Sequence, residues 1–301
     1  MVSAGGPADR VVVGIDGSDS ALQAARWARD EAALRGRGLT LVWALEPPVM
    51  AGSVGIGLPT GPDYLEEWQA RALEQVHLVA RDLAVPDAHA VAEIGSPSAV
   101  LIEQSEHADL VVIGSRGRGG FSGLLLGSVS SQVAPHALCP VVVVRDLPRQ
   151  EARTVVVGID GSSTASAALE FAFDEASRHG WDLIALHAWE VPSYDLIAVP
   201  QVPAPVSLTR TVDDEMRLAA EVLAGYRDRY PDVIVVEQLV RGPAAKALVG
   251  AAHDAAMLVV GSTGHGPTMG AILGSVSHSV LHTARLPIAV IPAAALAKEA
   301  A

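Results

Sequence analysis

The sequence predicts a doubly wound α/β protein made of two tandem copies of one domain, each a five-stranded parallel sheet with helices on both faces. Three observations predict it. Short apolar runs such as Val11–Ile15, Asp109–Ile113 and Met257–Val260 have the near-continuous character of strands buried on both faces. They alternate with segments of helical periodicity, the pattern of linked βαβ units. The whole pattern also occurs twice. Arg10-Val-Val-Val-Gly-Ile-Asp-Gly-Ser18 returns as Arg153-Thr-Val-Val-Val-Gly-Ile-Asp-Gly-Ser162. Asp16 and Asp160 are 144 residues apart and Gly114 and Gly261 are 147 apart, so the halves are nearly equal in length. The reading places one domain at 1–146, a short proline-broken linker at 147–152 and a second domain at 153–301.

Taken in order, Val11–Ile15 is the first strand, and Ser18 or Asp19 caps the helix Ala21–Arg35. Its apolar positions Leu22, Ala25, Trp27, Ala28 and Ala32 recur at helical spacing, and Gly36 and Gly38 end it. Leu39–Leu45 is the second strand. Residues 46–62, rich in Pro and Gly, read as a surface loop. Asp63–Ala84 is an amphipathic helix with Leu65, Trp68, Ala72, Leu73, Val76 and Val79 on one side. Ala88–Ile94, the short helix Pro97–Glu106, Asp109–Ile113 and Val141–Val144 complete the half. The second half repeats this with strands Thr154–Ile159, Asp182–Ala188, Val233–Leu239, Met257–Val260 and Ile288–Ile291. Its helices are Thr164–Arg178, Thr211–Arg229, Ala244–His253 and Ser275–Thr283, and residues 190–208 form its Pro-rich loop.

Of the 301 residues, 50% are hydrophobic, 4% aromatic and 18% charged, so two cores of Val, Leu, Ile and Ala can form. The formal net charge of −13 argues against general affinity for nucleic acid or an anionic membrane, which needs basic patches. The N-terminus lacks the charged and apolar regions of a signal peptide, and no uncharged apolar run reaches the ~18 residues that span a bilayer. The single cysteine, Cys139, excludes an internal disulfide and fits a reducing cytoplasm. Beside Pro140 at the start of a Val-rich strand, it reads as a buried, inert thiol.

The residues that could carry chemistry converge on the strand ends. Gly114-Ser115-Arg116-Gly117, nine residues, then Gly127-Ser128 follows an apolar strand and opens a helix. Gly261-Ser262-Thr263-Gly264, nine residues, then Gly274-Ser275 repeats it. Such a turn lets backbone approach an anion, and the first helical turn offers unpaired amides to it. Both copies read as phosphate-binding loops. Neither is a Walker A loop, since no lysine follows, and no dinucleotide fingerprint follows the first strand. Arg116 and Arg118 either clamp phosphate or are solvated loop charges. His265 is equally open, and if it holds phosphate the second loop weakens as pH rises above ~6.5. Asp16 and Asp160 either form the turn or accept hydrogen bonds from a nucleoside. In a sheet of this kind ligands bind where the strand order reverses, between the first and fourth strands, which is where these two signals meet. No nucleophile elbow, His-Glu-x-x-His motif or cysteine pair is present, and no carboxylate sits in the glycine loops. His278 and His282, four apart, offer the spacing of an i, i+4 metal pair, and the favoured reading is two polar positions on an exposed helix face.

These motifs together resemble the tandem type of universal stress protein found in mycobacteria and related actinobacteria. The resemblance rests on Val-Gly-Ile-Asp-Gly-Ser and Gly-x2-Gly-x9-Gly-Ser in both halves, with strand endings Leu41-Val-Trp-Ala44 and Leu186-His187-Ala188. It implies a Rossmann-like fold of the adenine nucleotide alpha hydrolase-like kind and ATP, with Mg2+, as ligand. By that resemblance Asp16 and Asp160, in turns begun by Gly14 and Gly158, contact the nucleoside, and Ala44 and Ala188 face adenine. Gly114, Gly117, Gly127, Ser128 and Val129 hold the triphosphate, as do Gly261, Gly264, Gly274, Ser275 and Val276. Ser115 with Arg116 and Arg118, and Ser262 with Thr263 and His265, fall within the same loops. The family implies a cytoplasmic regulator of stress adaptation, dormancy or growth with little hydrolysis. It also implies a homodimer formed through the last-strand region and a regulatory protein partner. The alternative is an enzyme of the wider adenine-nucleotide class, a nucleotidyl transferase or ATP pyrophosphatase. The departure from the family is Pro135, expected to shorten the helix after the first loop.

Overall fold

The computed structural model of the chain describes residues 10–46, 62–117, 126–189, 223–264 and 273–299. Arg118 and His265, both Pro-rich loops and most of the expected Thr211–Arg229 helix lie outside the described residues, although 223–229 are helical. By Cα packing the chain divides into Met1–Leu147 with Ala294–Ala301, and Pro148–Ala293. The tail, which the sequence reading gave to the second domain, thus groups with the first unit. There Lys298 Nζ donates to the Glu106 carbonyl.

The first unit runs β1 (Arg10–Gly14), α1 (Asp19–Arg35), β2 (Gly38–Leu45), α2 (Pro62–Asp82), β3 (His89–Ile94), α3 (Pro97–Gln104), β4 (Leu110–Gly114), α4 (Ser128–His136) and β5 (Val141–Val144). All its strand pairs are parallel, in the order β3-β2-β1-β4-β5. The second unit runs β6 (Thr154–Ile159), α5 (Ser163–His179), β7 (Asp182–Trp189), β8 (Val235–Arg241), α6 (Ala244–Ala251), β9 (Met257–Gly261), α7 (Ser275–Thr283) and β10 (Ile288–Ile291); α8 (Ala293–Glu299) follows, and all but its first residue groups with the first unit. Its sheet is also parallel, in the order β8-β7-β6-β9-β10. Each half is therefore the five-stranded doubly wound sheet that alternating strands and helices predict. The order reverses between β1 and β4 and again between β6 and β9.

Consecutive strand residues point to opposite faces, so a run buried without interruption is covered on both. Val11–Val13, Leu110–Ile113, Val141–Val144 and Ile288–Ile291 are all buried in this way. The helices beside the central strands pack close because they present alanine. The buried face of α1 centres on Ala21, Ala24, Ala25, Ala28 and Ala32, with Leu22 and Trp27 only half-buried at its margin. In α5 the equivalent face is Ala165, Ala168, Ala172 and Ala176 with Leu169 and Phe173. Ser18 Oγ accepts from the Ala21 amide at 3.2 Å, and Ser162 Oγ from the Ala165 amide at 3.2 Å. Each cap is worth about 1 kcal/mol.

Three local expectations are corrected. The expected helix to Glu106 ends as α-helix at Gln104, and a 3-10 turn over Ser105–His107 carries the chain on to β4. The strand placed at Val233–Leu239 begins two residues later. The Val233 amide is taken by the Tyr230 carbonyl at 3.2 Å, and Ile234 is 66% exposed before the ladder starts. Pro135 does not shorten its helix, since α4 and α7 are both nine residues long. Proline sits in the last turn of α4, where one missing amide removes one bond and the helix ends one residue on.

Cys139 is 4% exposed, with its Sγ 3.5 Å from the Pro140 carbonyl. Burial pushes its thiol up to about 12. Since the thiolate is the reactive form, a thiol reagent at neutral pH is expected to label the native chain negligibly over minutes and the denatured chain stoichiometrically. Rapid native labelling would overturn this.

Candidate functional site

Beyond β1 the chain turns sharply through Gly17, whose φ of 79° favours glycine; Gly161 at φ 80° does the same after β6. The aspartates close these turns. The Ser18 amide donates to Asp16 Oδ1 at 2.9 Å and the Ser162 amide to Asp160 Oδ1 at 2.9 Å. The turn-forming reading of both residues is thus realised through one carboxylate oxygen. The other oxygen meets the glycine loop. A Cβ built on Gly117 would lie 2.7 Å from Asp16 Oδ2, and one on Gly264 would overlap Asp160 Oδ2. Two signals about a hundred residues apart in sequence therefore touch across the strand reversal in each half.

The loops are closed by their own backbone. The Ser115 amide donates to the Val144 carbonyl at 2.9 Å, and Gly127 returns its amide to the Ser115 carbonyl at 2.7 Å. Ser130 Oγ donates to the Gly114 carbonyl at 2.8 Å. In the second half the Ser262 amide reaches Ile291, the Gly274 amide reaches Ser262 at 2.7 Å, and Ser277 Oγ donates to the Ser262 carbonyl at 2.9 Å. These bonds set the mouths of α4 and α7 at the strand ends. No side chain caps either helix, whereas Ser18 and Ser162 cap α1 and α5 in the same units. The first helical bonds, Ser131 to Gly127 and His278 to Gly274, leave the amides of the preceding turn without a capping side chain. Together with the helix dipole, such a turn attracts an anion.

A cavity of about 570 Å3 opens on the first helix mouth. Gly14, Asp16, Ala44, Gly114, Arg116 and Gly117 line it, as do Gly127, Ser128 and Val129. The second cavity is about 190 Å3 and is lined by Gly158, Asp160, Ala188, Gly261, Thr263 and Gly264, with Gly274, Ser275 and Val276. The structure thus brings most of the residues singled out in the sequence to one place in each half. Ser115 and Ser262 are not brought to the walls. They are 2% and 1% exposed beneath the loops, and Ser262 Oγ accepts from the Ala293 amide at 3.0 Å. Polar residues in a glycine loop read as anion donors, but these two spend their polar groups on holding the loop to the sheet.

Sequence reasoning missed the apolar wall. Val42, Trp43, Pro97 and Leu101 line the first cavity, and Leu186, Ala244 and Leu248 the second. The leucines explain two glycines. A Cβ on Gly14 would lie 2.9 Å from Leu101 Cδ1, and one on Gly158 would lie 3.1 Å from Leu248 Cδ1. A groove of about 530 Å3 also runs between α2 and β3, near Glu66, Gln69 and Leu73, but no helix mouth lines it among the described residues. The rings of His278 and His282 lie 4.4 Å apart on α7, tilted by 37°, and do not line the cavity. Among the described residues no third ligand joins them.

Comparison with known proteins accounts for this duplicated geometry. The family model described as the universal stress protein family matches residues 7–145 and again 151–292. A universal stress protein of Mycobacterium tuberculosis is 38% identical over 298 residues, covering 96% of this chain and 98% of its own length. A second from that organism is 39% identical over 298 residues, covering 93% and 96%. The crystal structure of a universal stress protein from Archaeoglobus fulgidus shares the fold at a TM-score of 0.69 and 22% identity, covering 95% of this chain and 98% of that one. No helix among the described residues is long and apolar enough to cross a membrane. With both halves matched separately and relatives aligned end to end, the chain belongs to the universal stress protein family.

Proposed function

We propose that the chain binds ATP, one molecule in each half, and works as a regulator of stress adaptation, dormancy or growth rather than as a catalyst. One observation carries the reading: an uncapped helix mouth opens on a cavity at the strand reversal of each half, facing a carboxylate at the end of the first strand. The amides of Ser128–Ser130 and Ser275–Ser277 suit phosphate oxygens, Asp16 and Asp160 suit a ribose or amine donor, and the apolar walls suit a base. Mg2+ then enters on the phosphates, since no carboxylate lies within the described parts of the glycine loops. Without a lysine or a water-positioning carboxylate in those loop segments, rapid phosphoryl transfer is not expected. A second copy of the chain and a regulatory protein are its proposed partners.

Nucleotide released from purified protein by denaturation is expected to be ATP by mass spectrometry, and calorimetry with ATP and Mg2+ is expected to show binding. Protein that carries no adenine nucleotide and binds none overturns the proposal. Steady release of AMP and pyrophosphate would overturn its non-catalytic part.

A further inference from the structure

The two sites share a plan but differ in three respects. The first is room: about 570 Å3 against about 190 Å3, where ligand pockets usually measure about 300–1,000 Å3. The second is charge at the phosphate end. Arg116 lines the first cavity where Thr263 lines the second, and no Lys, Arg or His lines the second among the described residues. Glu46 also lines the first cavity, but at the end of β2, on the far side of β1 from β4 and the loop. The third is how firmly each loop is already held. In the second half Thr164 Oγ1 donates to the Thr263 carbonyl at 2.5 Å, drawing the loop onto the start of α5. In the first half the equivalent pair is joined by a different and longer bond: the Arg116 amide donates to Ser20 Oγ at 3.4 Å.

We infer that the halves are unequal: the roomier first site, with Arg116 at its phosphate loop, takes nucleoside triphosphate first, and the contracted second site takes it at least tenfold more weakly. This rests on the nucleotide reading above. A guanidinium forks onto phosphate oxygens and threonine cannot, so charge and space act in the same direction. A second site that must also release the Thr164–Thr263 bond to widen gives up binding energy to do so. At limiting nucleotide the chain then carries one ligand, and the second half fills only as nucleotide rises.

Calorimetry of the full chain with ATP and Mg2+ tests this. Two phases are expected, each near one ligand per chain and separated at least tenfold in Kd. Gly117→Ala is expected to remove the tight phase and Gly264→Ala the weak one. Arg116→Thr, a change in a loop side chain that leaves packing alone, is expected to weaken the tight phase about tenfold and bring the two phases together. A single phase with two equal sites overturns the inference, and so does loss of the tight phase in Gly264→Ala alone. An Arg116→Thr chain with unaltered tight affinity also overturns it. No binding by the unaltered chain would instead overturn the nucleotide reading itself.

Discussion

Gly117→Ala is expected to weaken ATP binding at the first site at least about tenfold, ~1.4 kcal/mol, while the melting temperature of the nucleotide-free chain stays within about 2 °C. The added methyl would sit 2.7 Å from Asp16 Oδ2 and, among the described residues, meets no other atom within 3.4 Å. That oxygen is the far end of a side chain, so the fold can yield by turning the carboxylate. Turning it, however, moves the group that faces the cavity and disturbs the 2.9 Å bond from the Ser18 amide. The damage therefore falls on ligand geometry and spares the core. Calorimetry paired with thermal melts without nucleotide separates the two effects. Unchanged affinity would show that the Asp16 carboxylate does not report on the ligand, and a large melting shift would make Gly117 a structural residue. The same logic applies to Gly264 and Asp160 in the second half.

The placement of this site was legible in the sequence because each of its signals ended a strand. Asp16 follows β1 and Gly114 closes β4, and a doubly wound order makes those two strands neighbours without further information. The helix mouths were legible too, since Gly127-Ser128 and Gly274-Ser275 offer no long capping side chain at N-cap. The apolar wall was not. Leu101 and Leu248 lie in short helices, where a leucine reads as core, and only the approach of α3 to Gly14 and of α6 to Gly158 brings them to the cavity walls. The burial of Ser115 and Ser262 was hidden for the opposite reason. Their partners, Val144, Ile291 and Ala293, come from the strands that close each half or just beyond, about 30 residues away along the chain. The start of β8 was misplaced because Val233 and Ile234 are as apolar as the strand they precede, and a turn bond to Tyr230 is invisible to periodicity. The inequality of the two cavities was foreshadowed only by Arg116 against Thr263. The hydroxyl that ties the second loop to α5, Thr164 Oγ1, gives no such signal, because its loop partner lies 99 residues away.

Gly114→Ala is expected to act on the other side of that division, lowering stability by about 1–3 kcal/mol, at roughly 2–4 °C of melting temperature per kcal/mol for a unit of this size. A Cβ at Gly114 would lie 2.8 Å from the Ser20 carbonyl carbon, 2.9 Å from its oxygen and 2.7 Å from its hydroxyl. Two of those atoms are backbone in the first turn of α1, which is fixed in place by the Ser18 cap and by an alanine face packed closely on the sheet. Nothing there can swing aside as the Asp16 carboxylate can, so the helix must lift from β4 or the strand must buckle. Gly261 faces the matching backbone and side chain of Thr164, with 2.9 Å to the carbonyl carbon, and Gly261→Ala is expected to destabilise the second half by a similar amount. Thermal melts without nucleotide check both. Should Gly114→Ala melt with the unaltered chain while Gly117→Ala does not, the two glycines have exchanged roles. The close approach of α1 to β4, which holds the first loop above its aspartate, would then not be what keeps residue 114 a glycine.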